Sequence, residues 1–174
     1  MKLTALIITY NEEKIIAENL QVLTKISERI IIIDSYSTDS TVEIAEKLNA
    51  DVYYRNFDNF SDQRNFSLKE TKIESDYVLV LDADEYITKE FKNWLLANKL
   101  DSDGYYINRR FYWKGTWLRR GYYPLWLLRL GLFLYDRLNR QNSLPNSQLI
   151  KRLKQAIYFK PLQDIFAKAI LFNL

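Results

Sequence analysis

The amino-acid sequence predicts an α/β fold in which helices flank a mostly parallel sheet. Short apolar runs alternate with segments of helical spacing, which is the pattern of a parallel sheet covered by helices. Three of the apolar runs end in polar or acidic residues, and the carboxyl ends of parallel strands share one edge of a sheet. A length of 174 residues is enough for one domain with its own core.

The first two predicted strands lie on either side of a predicted helix. Residues 3–10 and 29–34 are largely apolar, as expected for strands that are buried on both faces. Apolar residues at helical spacing over 15–26 predict the intervening helix. The acidic residues at 12–13 suit its first turn, where the helix dipole favours negative charge.

The next elements continue the alternation. Residues 40–43 read Ser-Thr-Val-Glu, a capping box that predicts a helix reaching about residue 48. Residues 51–55 predict a short strand, and Ser61 is predicted to cap a helix that carries Arg64.

The chemistry of the chain is concentrated where the fourth predicted strand ends. Residues 77–81 are apolar in succession, and Asp82, Asp84 and Glu85 follow with only Ala83 among them. Carboxylate oxygens suit Mg²⁺ or Mn²⁺, and Mg²⁺ is usually held by one or two carboxylates plus substrate phosphates. A solvated acidic turn is the alternative for this stretch alone. Three polar strand ends on one edge favour a ligand site instead.

The elements after the acidic turn are less regular. Thr88 is predicted to cap a helix that turns Phe91 and Leu95 inwards. Residues 104–113 alternate enough to predict a strand, and residues 125–135 form either a strand or a buried helix.

The residue types that the chain lacks narrow its possible activities. It has no cysteine and no histidine, which excludes disulfides, thiolate or imidazole metal ligands and serine-type triads. All four glycines lie beyond residue 103, so the α/β half has no glycine-rich phosphate loop of the dinucleotide-binding or P-loop kind. A diphosphate bound there would need a metal ion instead.

Charge divides the chain into an acidic and a basic part. Residues 1–108 hold 12 Lys+Arg and 20 Asp+Glu, giving −8, whereas residues 109–174 hold 13 Lys+Arg and 2 Asp+Glu, giving +11. This asymmetry predicts that the second part meets an anionic partner, either a membrane surface, a nucleic acid or an anionic substrate.

Four motifs resemble those of family-2 glycosyltransferases in their order and spacing, and they lie at residues 9–13, 31–41, 62–65 and 81–85. The resemblance covers about residues 1–130. It is nearest to the small bacterial lipopolysaccharide core glycosyltransferases. It implies the GT-A fold, the fold of many nucleotide-diphospho-sugar transferases.

The resemblance also divides the chain into parts. Residues 1–135 would form the GT-A domain, with a nucleotide-sugar half over 1–103 and an acceptor-side segment over 104–135. This segment is expected to be shorter than in the family, and Leu125 stands where the family usually has an acid after a proline. Residues 136–174 are expected to form a basic, amphipathic helical tail.

Individual roles follow from the same resemblance. Asp84 matches the ligand of a divalent Mg²⁺ or Mn²⁺ ion, and Asp34 matches an acid that accepts a hydrogen bond from the base, commonly uracil. Asp82 matches an acid near the ribose, and Arg64 matches a residue that meets the nucleotide or its diphosphate. The implied nucleotide-binding residues are Thr9, Asn11, Glu12, Asp34, Arg64 and Asp82.

Basic and aromatic residues on the acceptor side are candidates for holding an anionic glycan. Core packing is the more common role for aromatic residues, and a solvated basic face is the alternative for the arginines. The candidate acceptor-side residues are Arg109, Trp117, Arg119, Arg120 and Tyr123. The general base is left open among Glu85, Asp101, Asp103 and Asp136.

The basic tail predicts where the protein acts. Residues 151–174 combine Lys and Arg with an apolar stripe. This pattern predicts an interfacial helix on an anionic membrane surface, or else a helix packed on the domain or on a second subunit. No apolar stretch is long enough to span a bilayer, and residues 3–10 are too short for a secretory signal. We therefore expect a cytoplasmic protein, peripheral at the inner face of the cell membrane.

The resemblance, taken together with these observations, implies a metal-dependent, inverting glycosyltransferase. It would move a sugar from a nucleotide-diphosphate donor, a UDP-sugar, to a lipopolysaccharide-core or other lipid-linked glycan. The alternative is a relative that binds nucleotide or a partner without transfer because its base is missing. A nucleotidyltransferase would share the metal acids but not the combination of residues 9–12 with 34–35. Nucleic-acid binding is disfavoured because no recognisable motif accompanies the charge.

Overall fold

The computed structural model describes residues 2–101, 104–113, 116–118, 125–132 and 170–173. Within these residues the helices are α1 (Ile16–Leu23), α2 (Thr41–Lys47), α3 (Phe60–Glu70) and α4 (Lys89–Ala97). The strands are β1 (Leu3–Thr9), β2 (Arg29–Asp34), β3 (Asp51–Tyr54), β4 (Tyr77–Asp82), β5 (Glu85–Ile87), β6 (Gly104–Trp113), β7 (Thr116–Trp117), β8 (Leu125–Leu132) and β9 (Ile170–Asn173).

The described strands form one sheet with the order β3-β2-β1-β4-β8-β6-β9-β5, and β7 pairs with β6. β3, β2, β1 and β4 are parallel, which confirms the predicted parallel sheet. In the register, Thr9 lies opposite Asp34 and Ile8 lies opposite Asp82. The polar strand ends therefore meet at one edge of the sheet. We call the carboxyl ends of β1, β2 and β4 the acidic edge.

Two antiparallel pairings extend the sheet beyond β4. β8 is antiparallel to β4, and β6 is antiparallel to β8. The choice left open for residues 125–135 is thus settled as a strand for Leu125–Leu132. Because β6 runs in the same direction as β4, Gly104 lies level with the start of β4, and Arg109 lies towards the acidic edge.

Helices cover both faces of the sheet. The larger core lies beneath α1, α2 and α4 and contains Ile7, Leu20 and Phe91, none of which is more than 3% exposed. α3 covers the opposite face, where Leu6 packs with Phe66. Alternate residues of β1 therefore enter two different cores, as expected for a strand that is buried on both faces.

One predicted helix start is wrong, and at a second helix the start is right but the predicted capping hydrogen bond is not made. α3 begins after Asn59 and not at Ser61, and the Asn59 side chain accepts a backbone N–H of the first turn at 2.9 Å. Ser40 makes no side-chain cap at α2, where Asp39 instead accepts the backbone N–H of Thr41 at 3.0 Å. In both places an Asn or Asp residue precedes the predicted serine. Asn and Asp cap helices at least as well as serine does.

The predicted helical tail is wrong at its end. Ile170–Asn173 form β9, which pairs antiparallel with β5 and parallel with β6. Residues 136–169 of the predicted tail lie outside the described residues. In the part of the chain that the structure describes, no helix has both the length and the apolar composition to cross a membrane.

Candidate active site

A cleft of about 710 Å³ opens at the acidic edge of the sheet. Phe57 and Phe60 form an aromatic wall, and their rings meet edge to face with centroids 5.1 Å apart. The ends of β1 and β4, the loop after β1 and the far part of β6 supply the polar lining. This lining includes Thr9, Glu12, Asp82, Asp84 and Arg109.

Asp34, at the end of β2, ties two loops of the acidic edge together. Its side chain is fully buried, and its oxygens accept three hydrogen bonds. Thr9 Oγ1 donates at 3.0 Å, while Ser37 donates from its backbone N–H at 2.7 Å and from its hydroxyl at 2.5 Å. Because a carboxylate offers about four acceptor positions, most of its capacity is used inside the protein.

Asn11 and Glu12 connect the loop after β1 to the turn after β2. Asn11 has a φ of 54°, in the left-handed region that Asn tolerates better than most residues. Its side-chain oxygen accepts the N–H of Thr38 at 2.8 Å, and its own N–H donates to the Ser37 hydroxyl at 2.8 Å. The N–H of Glu12 donates to the Thr41 hydroxyl at 2.7 Å. These bonds fix the backbone and leave the Glu12 side chain to line the cleft.

Side chains of three other elements hold the acidic turn after β4, residues 82–85, in place. Arg64 of α3 approaches Asp82 Oδ1 at 3.0 Å, and Arg129 of β8 approaches Asp82 Oδ2 at 2.7 Å. Asn19 of α1 is buried and donates its side-chain amide to the carbonyl of Ala83 at 2.6 Å. The conformation that presents Asp84 to the cleft therefore depends on α1, α3 and β8 together.

Glu85 forms a buried ion-pair network next to this turn. It is 0% exposed and pairs with Arg109 at 2.9 Å and with Arg129. Its other oxygen accepts the backbone N–H of Asp82 at 3.0 Å. Burial raises the pKa of Glu85 to about 7, although the charge of Arg129 acts to lower it. These contacts argue against Glu85 as the general base, because a fully buried and paired carboxylate has no access to a substrate.

Asp84 and Glu12 are the acidic groups of the cleft that lack a cation. Burial raises the pKa of Asp84, and the neighbouring Asp82 carboxylate raises it further. Burial also raises the pKa of Glu12, followed by the charges of Asp84 and Asp39. Among the described residues, Asp84 and Glu12 take part in no ion pair. A divalent cation would relieve this repulsion.

The fit of a metal ion to the site follows from these charges. Within the described ranges, no group of three or more Asp, Glu, His or Cys side chains is arranged to hold a metal by itself. Mg²⁺ usually retains water and takes only one or two carboxylates together with substrate phosphates. Asp84, in an open and acidic cleft, would suit such an ion, and phosphate oxygens of a substrate would supply further ligands.

The structure brings together several of the residues predicted to bind the donor. Thr9, Glu12, Asp82 and Asp84 line one cleft, and Arg109 from the predicted acceptor side joins them. Arg109 thus lies closer to the predicted metal ligand than its place in the sequence indicates. Its positive charge acts to lower the pKa of Asp84.

Other predicted residues lie elsewhere. Trp117, on β7, packs its ring 4.9 Å from the guanidinium carbon of Arg110 and does not line the cleft. Asp101 precedes β6 at the end of the sheet opposite the acidic edge, which argues against it as the general base. Arg119, Arg120, Tyr123, Asp103 and Asp136 lie outside the described residues.

Two residues of the site escape sequence reasoning although the sequence carries a signal for each. Arg129 is a single charge inside the apolar run 125–132, and Asn19 is a single amide among inward-facing apolar positions of α1. Charged and amide side chains are rarely buried without a partner. Both are in fact buried, and both hold the acidic turn.

Residues 4–162 match the sequence profile of Glycosyl transferase family 2. The chain belongs to this family. The motifs at the acidic edge had indicated the same family, and the match extends from the donor-side strands through the acceptor-side segment. The family-level prediction is therefore confirmed.

Relatives of known sequence match about half of the chain. An uncharacterized glycosyltransferase of Rickettsia conorii is 39% identical over 92 residues, which cover 53% of this chain and 32% of the relative. The poly(ribitol-phosphate) beta-N-acetylglucosaminyltransferase TarS of Staphylococcus aureus is 35% identical over 101 residues, which cover 52% of this chain and 17% of TarS. The chain thus spans well under half the length of these relatives.

Solved structures share the fold. TarS 1-349 of S. aureus in complex with UDP superimposes with a TM-score of 0.63 at 21% identity, covering 100% of this chain and 61% of that one. Glucosyl-3-phosphoglycerate synthase from Mycobacterium tuberculosis in complex with Mn²⁺ and UDP gives 0.50 at 20% identity, covering 66% of this chain and 44% of that one. The predicted GT-A-type α/β fold is confirmed.

Proposed function

We propose that the chain is a metal-dependent, inverting glycosyltransferase with a UDP-sugar as its donor. The observation that carries this proposal is the cleft in which Asp82 and Asp84 lie beside Thr9 and Glu12. The cleft contains carboxylates without cations, an aromatic wall and a rigid turn. Structures of TarS with UDP-GlcNAc and of glucosyl-3-phosphoglycerate synthase with UDP and Mn²⁺ support the same donor class.

The residues of the cleft would each have a different role in the transfer of the sugar. An acceptor hydroxyl attacks the anomeric carbon as the bond to the nucleoside diphosphate breaks, and a base removes the hydroxyl proton. A bound divalent ion supplies Lewis-acid stabilisation of the leaving diphosphate. Asp84 would hold that ion, and Asp82 would be kept in place for the ribose by Arg64. Asp34 would shape the base-binding end through the bonds that it accepts.

We propose an anionic, lipid-linked glycan of the lipopolysaccharide-core type as the acceptor, at the inner face of the cell membrane. The net charge of +11 over residues 109–174 supports this acceptor, since basic segments bind anionic lipid surfaces and phosphorylated glycans. The name of TarS likewise describes an acceptor that carries phosphate groups.

One observation favours a second candidate, a relative that binds nucleotide without transferring sugar. The strands β6, β7 and β8 carry no Asp or Glu. Glu85 is buried and paired, and Asp101 lies at the opposite end of the sheet. Of the four candidate bases, this leaves Asp103 and Asp136, which lie outside the described residues.

The test of the proposed function is a calorimetric titration of UDP into the full chain, with Mn²⁺ and again with EDTA. We expect binding that needs the metal, because the diphosphate and Asp84 would share the ion. Metal-independent binding or no binding would contradict the proposal. Hydrolysis of UDP-sugars, followed by release of UDP, then separates an enzyme from a relative that only binds nucleotide.

A further inference from the structure

Ser35 brings a hydroxyl group to the cleft directly after the end of β2. Two serine or threonine side chains line this cleft, those of Thr9 and Ser35. Thr9 donates its hydroxyl proton to Asp34 at 3.0 Å, so that proton is used inside the protein. The backbone N–H of Ser35 is used as well, because it donates to the carbonyl of Thr9 at 3.0 Å. The hydroxyl of Ser35 is left to meet a ligand.

Gln63 of α3 decides whether that hydroxyl donates or accepts. The side chain of Gln63 is 0% exposed, and its amide nitrogen donates to Ser35 Oγ at 3.0 Å. A hydroxyl that accepts this bond keeps its own proton for another acceptor. Within the part of the chain that the structure describes, no residue accepts that proton. The Ser35 hydroxyl can therefore donate into the cleft.

Arg55 fixes the orientation of the Gln63 amide. Arg55 Nη1 donates to Gln63 Oε1 at 2.9 Å, and a guanidinium group can only donate. The backbone carbonyl of Arg55 accepts from Gln63 Nε2 at 3.3 Å. Both contacts turn the amide nitrogen towards Ser35. Arg55 is itself held by Asp58 at 2.6 Å and by the ring of Phe66, whose centroid lies 5.7 Å from the guanidinium carbon.

The neighbouring acid does not compete with Ser35 for a ligand. Asp34 is 0% exposed, does not line the cleft and already accepts three hydrogen bonds. An ionised carboxylate also has no proton to donate, whereas the Ser35 hydroxyl has one. At the end of β2 the cleft therefore presents a hydrogen-bond donor.

The position of Ser35 indicates which part of a nucleotide it would meet. In the sheet, β2 lies two strands from β4, a distance of about 10 Å. Asp84 follows β4 and is the proposed ligand of the metal ion that holds the diphosphate. A nucleotide held there would turn towards Ser35 the edge of its base that is remote from the ribose. In uracil this edge carries a carbonyl oxygen where cytosine carries an amino group.

We propose that Ser35 selects the base of the donor by donating its hydroxyl proton to a carbonyl oxygen on that edge. Gln63 and Arg55 are positioning residues for this bond. The inference rests on the proposed function, because it assumes that the cleft holds a nucleotide. With cytosine, the hydroxyl proton and the amino group would face each other without an acceptor. A site built to hydrogen-bond one group discriminates against a ligand that lacks it.

Calorimetric titrations of UDP and of CDP into the full chain, each with Mn²⁺ and again with EDTA, measure this preference. We expect UDP to bind about tenfold more tightly than CDP, as is typical when a hydrogen-bond donor is left unpaired. Ser35→Ala removes the hydroxyl and should abolish the preference. Equal affinities in the natural chain, or a preference that Ser35→Ala leaves unchanged, would overturn the proposal.

Gln63→Glu gives the decisive comparison. A carboxylate cannot donate, so Ser35 would donate to it and turn its lone pairs to the ligand, and the preference should shift from UDP to CDP. Arg55 supplies the compensating charge for this carboxylate. Gln21→Glu makes the same change at an exposed position of α1 outside the cleft, and should leave the preference as it is. An equal effect of the two substitutions would contradict the proposal.

Two separate readouts distinguish this inference from the proposed function. The dependence of binding on Mn²⁺ tests the proposed function, and the ratio of the UDP and CDP affinities tests Ser35. A preference for UDP that persists in EDTA and is lost in Ser35→Ala would support Ser35 although the metal dependence fails. Metal-dependent binding with equal affinities would overturn the role of Ser35 alone. Absence of binding by both nucleotides would overturn both proposals.

Discussion

Arg129, in the middle of β8, donates to the carboxylate of Asp82 at the end of β4 over 2.7 Å. The same terminal nitrogen also donates to Glu85. An antiparallel strand from the second half of the sequence thus fixes an acid that belongs to the donor half. The acidic turn therefore depends on both the predicted nucleotide-sugar half and the predicted acceptor-side segment.

Removal of Arg129 should destabilise the protein strongly. Arg129→Met leaves Glu85 buried with Arg109 alone and removes a partner of Asp82. Loss of one partner of a buried ion pair typically costs about 3–5 kcal/mol. Urea unfolding at a pH above about 7, where Glu85 is charged, followed by circular dichroism, measures this change in the free energy of unfolding.

The double variant Arg129→Met with Glu85→Gln tests the cause of that loss. Because it removes the buried charge together with its partner, it should recover part of the stability. Arg110→Met is the matched control, since Arg110 is an arginine of β6 that packs over the ring of Trp117, and it should cost less than Arg129→Met. Similar losses in all three proteins would argue against the network.

Asp84→Asn should abolish the metal dependence of UDP binding. The substitution keeps the size of the side chain but removes the charge that a divalent ion needs. Since burial and Asp82 raise the pKa of Asp84, protons compete with the metal at a higher pH than for an exposed aspartate. Metal-dependent binding in the natural chain should therefore weaken as the pH falls towards that pKa.

Calorimetry with Mn²⁺ at several pH values measures this competition. Asp62→Asn is a suitable control, because Asp62 is exposed on α3 and lies outside the cleft. Undiminished metal-dependent binding by Asp84→Asn would remove Asp84 from the metal site.

Asn19→Leu should weaken both the fold and the site. The substitution removes the amide that donates to Ala83 at 2.6 Å and leaves a buried carbonyl without that donor, which typically costs about 1–3 kcal/mol. The turn before Asp84 would also lose its contact with α1, so metal-dependent UDP binding should fall. Asn98→Leu is the matched control, since Asn98 makes the same kind of bond to the carbonyl of Trp94 in an exposed place. Equal effects of the two substitutions would contradict a special role for Asn19.

The pKa of Glu85 gives a prediction about stability and pH. Between pH 4.5 and about 7, the folded protein keeps a proton on Glu85 that the unfolded chain has lost. The free energy of unfolding should therefore fall as the pH rises through this window, by up to about 3 kcal/mol. Glu85→Gln cannot titrate and should show a flatter dependence in urea unfolding. Parallel curves for the two proteins would show that Glu85 does not titrate in this range.

The sequence predicts the acidic edge well because the residues within and just after each strand indicate where that strand ends. Apolar runs that finish at Thr9, Asp34 and Asp82 specify both the strands and the polar positions that the parallel register brings together. Hydrophobic periodicity and the alternation of elements are sufficient for this part of the fold.

The rest depends on contacts between distant residues. Arg129 and Glu85 are 44 positions apart, and only the antiparallel pairing of β8 with β4 brings them together. The cap at Asn59 was missed for a different reason, because a serine two residues later satisfies the same local pattern and only the backbone geometry chooses between them.

The basic residues of the C-terminal segment provide the test of membrane association. The variant replaces four basic residues by glutamine, namely Lys151, Arg152, Lys154 and Lys160, and so removes four positive charges but keeps β9. A deletion of residues 151–174 would instead remove β9 and its pairing with β5 and β6. Each basic residue near an anionic surface contributes about 1 kcal/mol, so binding to phosphatidylserine vesicles should fall at least tenfold. The control replaces four exposed lysines of the acidic half, namely Lys25, Lys69, Lys89 and Lys99. Vesicle co-sedimentation at two salt concentrations measures the difference, and an equal loss in both variants would mean that net charge, and not the C-terminal segment, governs the association.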